Sequence, residues 1–254
     1  MLLSPRASTT VAIGTAGWAI PGAFRDRFRS EGSQLARYSG IFSAVEINSS
    51  FKRHHKPATY ARWAESVGSD FRFCVKLPRS VTHERRLIDT GEEIGRFAGE
   101  IQGLGAKLAV ILIQTPPSLA FDPAVAADFF SLVRALVPVD LACEPRHASW
   151  FSDAANSFLI ENRVARVAAD PAPVPAAAKP GGWPHLAYFR LHGRPRIYWS
   201  SYDTDAVNAH ARAIAGATTS AGRVWAIYDN TAAGAATGNG LELRERLAEE
   251  NLPA

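Results

Sequence analysis

The stretch Leu108-Ala109-Val110-Ile111-Leu112-Ile113-Gln114-Thr115-Pro116-Pro117 decides the fold. Six apolar residues in a row, stopped by two prolines, lack the alternation of a strand with one wet face. The run fits a parallel strand covered on both sides. Such a strand needs helical crossovers, and its flanks supply them. A helix is expected from about Thr90 to Gly103 before it. After it, Asp122 and Pro123 form a cap-and-start signal for a stripe of Val125, Phe129, Leu132, Val133 and Leu136.

The same unit recurs in both directions. Strand signals stand at Val11 to Ile13, Ser43 to Asn48, Phe71 to Leu77, Leu141 to Glu144, Ala165 to Asp170, Leu186 to His192 and Val224 to Asp229. Ser33 caps an expected helix with Leu35, Tyr38 and Phe42 on one stripe, and Pro57 starts another carrying Tyr60, Trp63, Ala64 and Val67. Ser152 and Asp153 begin a further helix, and a last one ends near Glu249. Five prolines between Pro171 and Pro184 put an irregular surface connection between strands six and seven.

Eight strand signals in 254 residues amount to about one per 32, the length of a βα unit. The expected fold is therefore α/β, a (β/α)8 TIM-type barrel of parallel strands. It forms a single domain over residues 1–254, with 1–10 as a loose N-terminal tail. An open doubly wound sheet is the alternative.

Composition narrows the function. With 47% hydrophobic and 20% charged residues, the chain has the make-up of a folded protein with a sizeable core. Cys74 and Cys143 lie in apolar runs without metal-ligand spacing, which fits a reducing compartment. Period-two parity turns Cys74 inward and Cys143 outward, so a disulfide between them is not expected. No apolar run approaches the ~20 residues of a membrane span, and no signal-peptide core is evident, so a cytoplasmic protein without a membrane partner is expected. A net charge of +4 favours anionic partners, although the arginines are scattered.

Nearly every expected strand ends in polar groups: Glu46 and Asn48, Lys76, Gln114, Glu144 and Arg146, Asp170, Arg190 and His192, Asp229. A lone charge there is usually a solvated strand end, but in a barrel all these ends converge on the mouth that carries active sites. Three chemistries are open. Carboxylates with His147 and His192 could hold a divalent cation, but Arg146, Arg190 and Lys76 would compete for the same oxygens, and no metal ligands are assigned. The charges could instead pair with one another and close the mouth. Or Glu46 and Glu144 could act as acid and base, tuned by neighbouring cations.

Cations at or just after strand ends make an anion the expected ligand, because guanidinium groups hold carboxylate or phosphate at two points. Asn230-Thr231-Ala232-Ala233-Gly234 adds small residues at a helix start after the last strand. Loop aromatics, among them Trp18, Phe51, Trp150, Tyr198, Trp199 and Tyr202, could stack a base or sugar or simply pack. No P-loop, dinucleotide fingerprint, nucleophile elbow, HExxH or paired CxxC occurs, which weighs against the usual nucleotide hydrolysis, NAD chemistry and zinc proteolysis.

Eight motifs in order complete the picture. They are Gly14-Thr15-Ala16-Gly17-Trp18, Val45 to Phe51, Phe71 to Lys76, Thr82 to Leu87, Gln114 to Leu119, Glu144-Pro145-Arg146-His147-Ala148-Ser149-Trp150, Arg190-Leu191-His192-Gly193, and Asp229-Asn230-Thr231 with Gly234. Together they resemble the YecE-like family, a bacterial and archaeal family named as a domain of unknown function. The resemblance runs from about Val11 to Leu247 and implies a TIM-type barrel with no established reaction. Two positions depart from it: Ala19-Ile20-Pro21-Gly22 carries fewer aromatics, and Lys52 stands where tyrosine is common.

The expected function is an enzyme, a hydrolase or lyase, acting on a phosphorylated or nucleotide-like anion at the mouth, with its cofactor unassigned. Glu46, Glu144, His192 and Asp229 are the catalytic candidates. Trp18, Asn48, Lys76, Arg85, Arg146, His147, Trp150, Arg190 and Asn230 are the substrate-binding ones. The competing expectation is a non-catalytic nucleic-acid binder using the same basic and aromatic residues.

Overall fold

The computed structural model describes residues 11–249, so the expected tail at 1–10 lies outside the described residues. The strands are β1 Val11–Thr15, β2 Ala44–Ile47, β3 Arg72–Lys76, β4 Leu108–Gln114, β5 Asp140–Glu144, β6 Val164–Arg166, β7 Ala168–Asp170, β8 Gly181–Gly182, β9 Leu186–Leu191 and β10 Arg223–Tyr228. Helices α1 Gln34–Tyr38, α2 Pro57–Glu65, α3 Gly91–Ile101, α4 Pro123–Leu136, α5 Asp153–Glu161, α6 Thr204–Thr218 and α7 Ala235–Glu249 stand between or after them. The capping chemistry is as the residue types demand. The side chains of Ser33, Asp122, Ser152 and Asp203 each accept a backbone N–H in the first turn of α1, α4, α5 and α6, and Pro57 and Pro123 sit at helix starts where a missing N–H costs nothing.

The result is a mixed α/β fold with parallel sheets. The ladders resolve into two sheets, ordered β2-β3-β4-β5-β6-β8 and β1-β10-β9-β7, in place of one continuous cylinder. Every pairing is parallel except β6 with β8. The sixth expected strand is divided because it serves both sheets: β6 pairs with β5, while β7 pairs with β9. The first sheet also touches the second at the other edge. There an isolated parallel bridge joins Ala16 to Glu46, and Gly17 N donates to Glu46 O at 2.8 Å. Gly14 permits that approach, since a Cβ on it would stand 2.1 Å from Ala44 O. The two-residue β8 and a 3-10 turn over Pro175–Ala178 give the proline-rich connection more order than expected.

The core has two parts. A larger cluster fills the space between sheets and helices, and includes Cys143. A smaller one, with Ala44, Cys74, Leu112, Ala142, Tyr188 and Ile227, lies inside the sheets. The two free cysteines thus fall on opposite faces. Among the described residues no helix is long and apolar enough to cross a membrane.

Candidate active site at the carboxyl ends of the strands

Side chains two apart on a strand share a face, so each inner apolar residue points to the polar one that follows it. Ala44 leads to Glu46, Cys74 to Lys76, Leu112 to Gln114, Ala142 to Glu144, Tyr188 to Arg190 and Ile227 to Asp229. Six strands therefore deliver a polar group to one end of the inner cluster.

Arg190 is the centre of that group, with a fully buried side chain. Its Nε and Nη2 donate to the two carboxylate oxygens of Glu46 at 3.0 and 2.7 Å. Nη1 donates to Glu144 Oε2, and Nη2 also reaches Asp229 Oδ2 at 2.8 Å. His192 bridges the other two carboxylates, with Nδ1 3.1 Å from Asp229 Oδ2 and Nε2 3.1 Å from Glu144 Oε1. Tyr188 donates its hydroxyl to Glu46 Oε2 at 2.9 Å. Three carboxylates in an interior require such partners, because an uncompensated buried charge costs several kcal/mol.

The protonation states follow. Burial works against the charge on Arg190, but the carboxylates of Glu46, Glu144 and Asp229 hold its pKa well above the ordinary value. Burial would lower His192, yet Glu144 and Asp229 raise it, favouring the imidazolium. Burial would raise Glu144 and Asp229, and in both cases Arg190 and His192 outweigh it and hold the carboxyl below its usual range. The centre is thus a closed ionic network whose carboxylates already accept from strong donors.

Lys76 is treated differently. It is 8% exposed, yet its Nζ donates to the neutral Gln114 Oε1 at 2.7 Å and has no carboxylate within ion-pair distance among the described residues. The ammonium sits 4.1 Å above the ring of Phe51. Burial, reinforced by the charge of Arg190 and only partly opposed by the carboxylates of Glu144, Glu46 and Asp229, brings its pKa down to about 8. The other face of the problem is His83, which packs edge-on against the same Phe51 ring at 5.1 Å. Burial, with the charges of Lys76, Arg79 and Arg146, lowers its pKa and favours a neutral imidazole. Arg146, with a side chain 24% exposed, donates from Nε and Nη2 to Glu144 and from Nη2 to the Tyr198 hydroxyl at 2.8 Å. Its Nη1 makes no hydrogen bond among the described residues. Asn48 donates to Asp229 at 3.4 Å and leaves its own buried Oδ1 without a partner.

Glu46, Glu144, His192, Asp229, Arg190, Arg146, Lys76 and Asn48 are thereby brought together, while other expected residues stand apart. Trp150 is only 1% exposed: its indole N–H donates to Leu119 O at 3.0 Å and its ring packs on Phe121, so it belongs to the core beside α4 and α5. Arg85 is an exposed residue paired with Glu93 of α3. Asn230 is buried and ties the Ser200 carbonyl to Asn239 of α7. Trp18 leans edge-on against Trp63 at 5.0 Å, and His147 caps the turn after β5 by accepting from Ser149 N. Asp170 turns away from the network to His210 of α6, at 3.2 Å. His83, Gln114 and Tyr188 are participants that strand-end charge alone does not single out. Tyr198, at φ of +66°, stands edge-on to His192 with ring centroids 5.3 Å apart. The same face-sharing rule places Gln114 and Tyr188, while Tyr198 is marked in the sequence only as one of several loop aromatics.

Fold and site together define a mixed α/β protein with parallel sheets and a buried ionic network at the carboxyl ends of its strands. The sequence profile of the family described as "Protein of unknown function DUF72" matches residues 12–254, and the chain belongs to that family. It is 27% identical over 173 residues to the UPF0759 protein YecE of Escherichia coli K12. That match takes in 66% of this chain and 61% of the length of that relative. Among solved structures it is similar to a DUF72 family protein from Enterococcus faecalis V583, with a TM-score of 0.80, 22% identity, and 94% and 96% of the two chains covered. A xylose isomerase-like TIM barrel/4-hydroxyphenylpyruvate dioxygenase fusion protein also aligns, with a TM-score of 0.51 and 14% identity over 98% of this chain and 45% of that one.

Proposed function

We propose that the two sheets are the halves of a (β/α)8 barrel and that the chain is an enzyme acting on a small anionic substrate, phosphorylated or nucleotide-like, at the carboxyl ends of the strands. The observation that carries this reading is the unequal use of the cations there. Arg190 and His192 are consumed by three carboxylates, whereas Lys76 and Nη1 of Arg146 remain able to donate. The pairs on Arg190 hold Glu46, Glu144 and Asp229 in place. In this reading they position the mouth, and they do not serve as free general bases, because their oxygens are engaged. Neutral His83 is the better base candidate. A recessed ammonium suits a small ligand and not a long polyanion, whose backbone cannot follow it inward. A cytoplasmic setting is part of the same reading, supported by two buried, unpaired cysteines.

A thermal-shift series over inorganic phosphate, sugar phosphates and nucleotides tests it. A binding anion should raise the melting temperature with concentration, and Arg146→Ala should remove most of that rise. Equal shifts in wild type and variant would overturn the assignment of Arg146.

A second reading, nucleic-acid binding, rests on the loop after β9. There Arg196 stacks 4.4 Å over Trp199, and Ile197, Tyr198 and Trp199 are exposed. Salt dependence separates the two.

A further inference from the structure

We infer that Lys76 is a covalent catalytic residue, forming an imine with the aldehyde or ketone group of a small anionic carbonyl substrate. This rests on the proposed function, since Arg146 would hold the anionic end. The geometric ground is the pairing pattern. Three carboxylates stand at the mouth, and all are committed to Arg190 and His192, so the one buried lysine there faces an amide oxygen and an aromatic ring. A lysine meant only to balance charge would pair with a carboxylate. One kept beside another cation, with the carboxylates of Glu144, Glu46 and Asp229 near but none in direct contact, is held where its neutral, nucleophilic form is reached near neutral pH.

The chemistry balances without a further reagent. Neutral Nζ attacks the carbonyl carbon, a C–N bond forms, and the oxygen takes a proton to give a carbinolamine. Loss of that oxygen as water leaves the C=N bond. Nζ gives up one proton on addition and a second as the imine forms, and the departing oxygen takes up two. His83 packs edge-on against the same Phe51 ring and carries the neutral imidazole suited to shuttle them.

The pKa near 8 against an ordinary 10.5 makes the neutral fraction at pH 7 about a hundredfold or more larger than in a free lysine. The chain contains five lysines, so Lys52, Lys56, Lys107 and Lys179 serve as internal controls. The intact protein is incubated with sodium cyanoborohydride and, in separate arms, pyruvate, glyceraldehyde 3-phosphate and neutral glycolaldehyde, and modified lysines are quantified by peptide mass spectrometry. Lys76 should be reduced to a secondary amine at least about tenfold faster than any other lysine, with the rate rising as pH approaches 8. Preferential labelling by the anionic probes, lost in Arg146→Ala, supports both readings. Preferential labelling by glycolaldehyde alone keeps the imine and sinks the anionic substrate. Labelling of Lys76 no faster than the four controls with every probe overturns the inference, while phosphate-induced stabilisation would still test the proposed function separately.

Discussion

At the scale of single residues the decisive contrast is between Arg190 and Lys76, two buried cations with opposite surroundings. Arg190 forms four hydrogen bonds to three carboxylates, so removing it strands those charges. Arg190→Met should destabilise the protein by about 3–5 kcal/mol at pH 7, and urea unfolding should find the deficit shrinking toward pH 4 as the carboxyls protonate. A variant as stable as the wild type would remove the network from the account. His192 gives a second handle. Its folded pKa is raised, so its contribution is complete below the unfolded value near 6.5 and is lost as pH rises through the folded one. The stability gap between wild type and His192→Asn should therefore be widest near pH 6 and narrow with rising pH. Glu144 and Asp229, whose values are lowered, behave oppositely: their contribution is present above about pH 4 and is lost as pH falls. A gap for His192→Asn that grows with rising pH would contradict the raised pKa assigned to His192.

At the scale of elements, all eight expected strands are present, because short apolar-rich runs ended by glycine, proline or a polar turn are a local signal. What local signals miss is pairing. Nothing in Ala165 to Asp170 says that its first half bonds β5 and its second β9, which depends on where the two sheets meet. Helix α6 escapes notice because alanines make up much of its inward stripe and hardly contrast with their surroundings. The site was legible to the extent that period two governs it. Glu46, Lys76, Glu144, Arg190 and Asp229 follow from strand ends, whereas Trp150 misleads because its indole is as able to fill a core as to meet a ligand. The seam beside β2 carries its own test. Gly14→Ala places a Cβ against Ala44 O, so it should cost about 1–3 kcal/mol in unfolding by urea. A neutral effect would mean that β1 and β2 approach less closely than described.

At the scale of the whole molecule, two functions compete for one basic surface. A net charge of +4 is too small to decide between them. Depth decides it better: the cations at the carboxyl ends of the strands are recessed, while Arg194, Arg196 and Trp199 project outward. A nucleic-acid binder touching several phosphates should lose affinity steeply with salt, with a slope on logarithmic axes that tracks the number of contacts. The account predicts weak binding of single-stranded RNA at 0.15 M salt that is insensitive to Arg146→Ala. The central claim, a small-anion site built on Arg146 and Lys76, is tested most directly by calorimetric titration of inorganic phosphate into the wild type, Arg146→Ala and the exposed control Arg85→Ala. The account predicts saturable one-to-one binding that Arg85→Ala retains and Arg146→Ala weakens at least about tenfold, the loss of one charge-assisted contact. No saturable binding, or equal affinity in all three proteins, would contradict it.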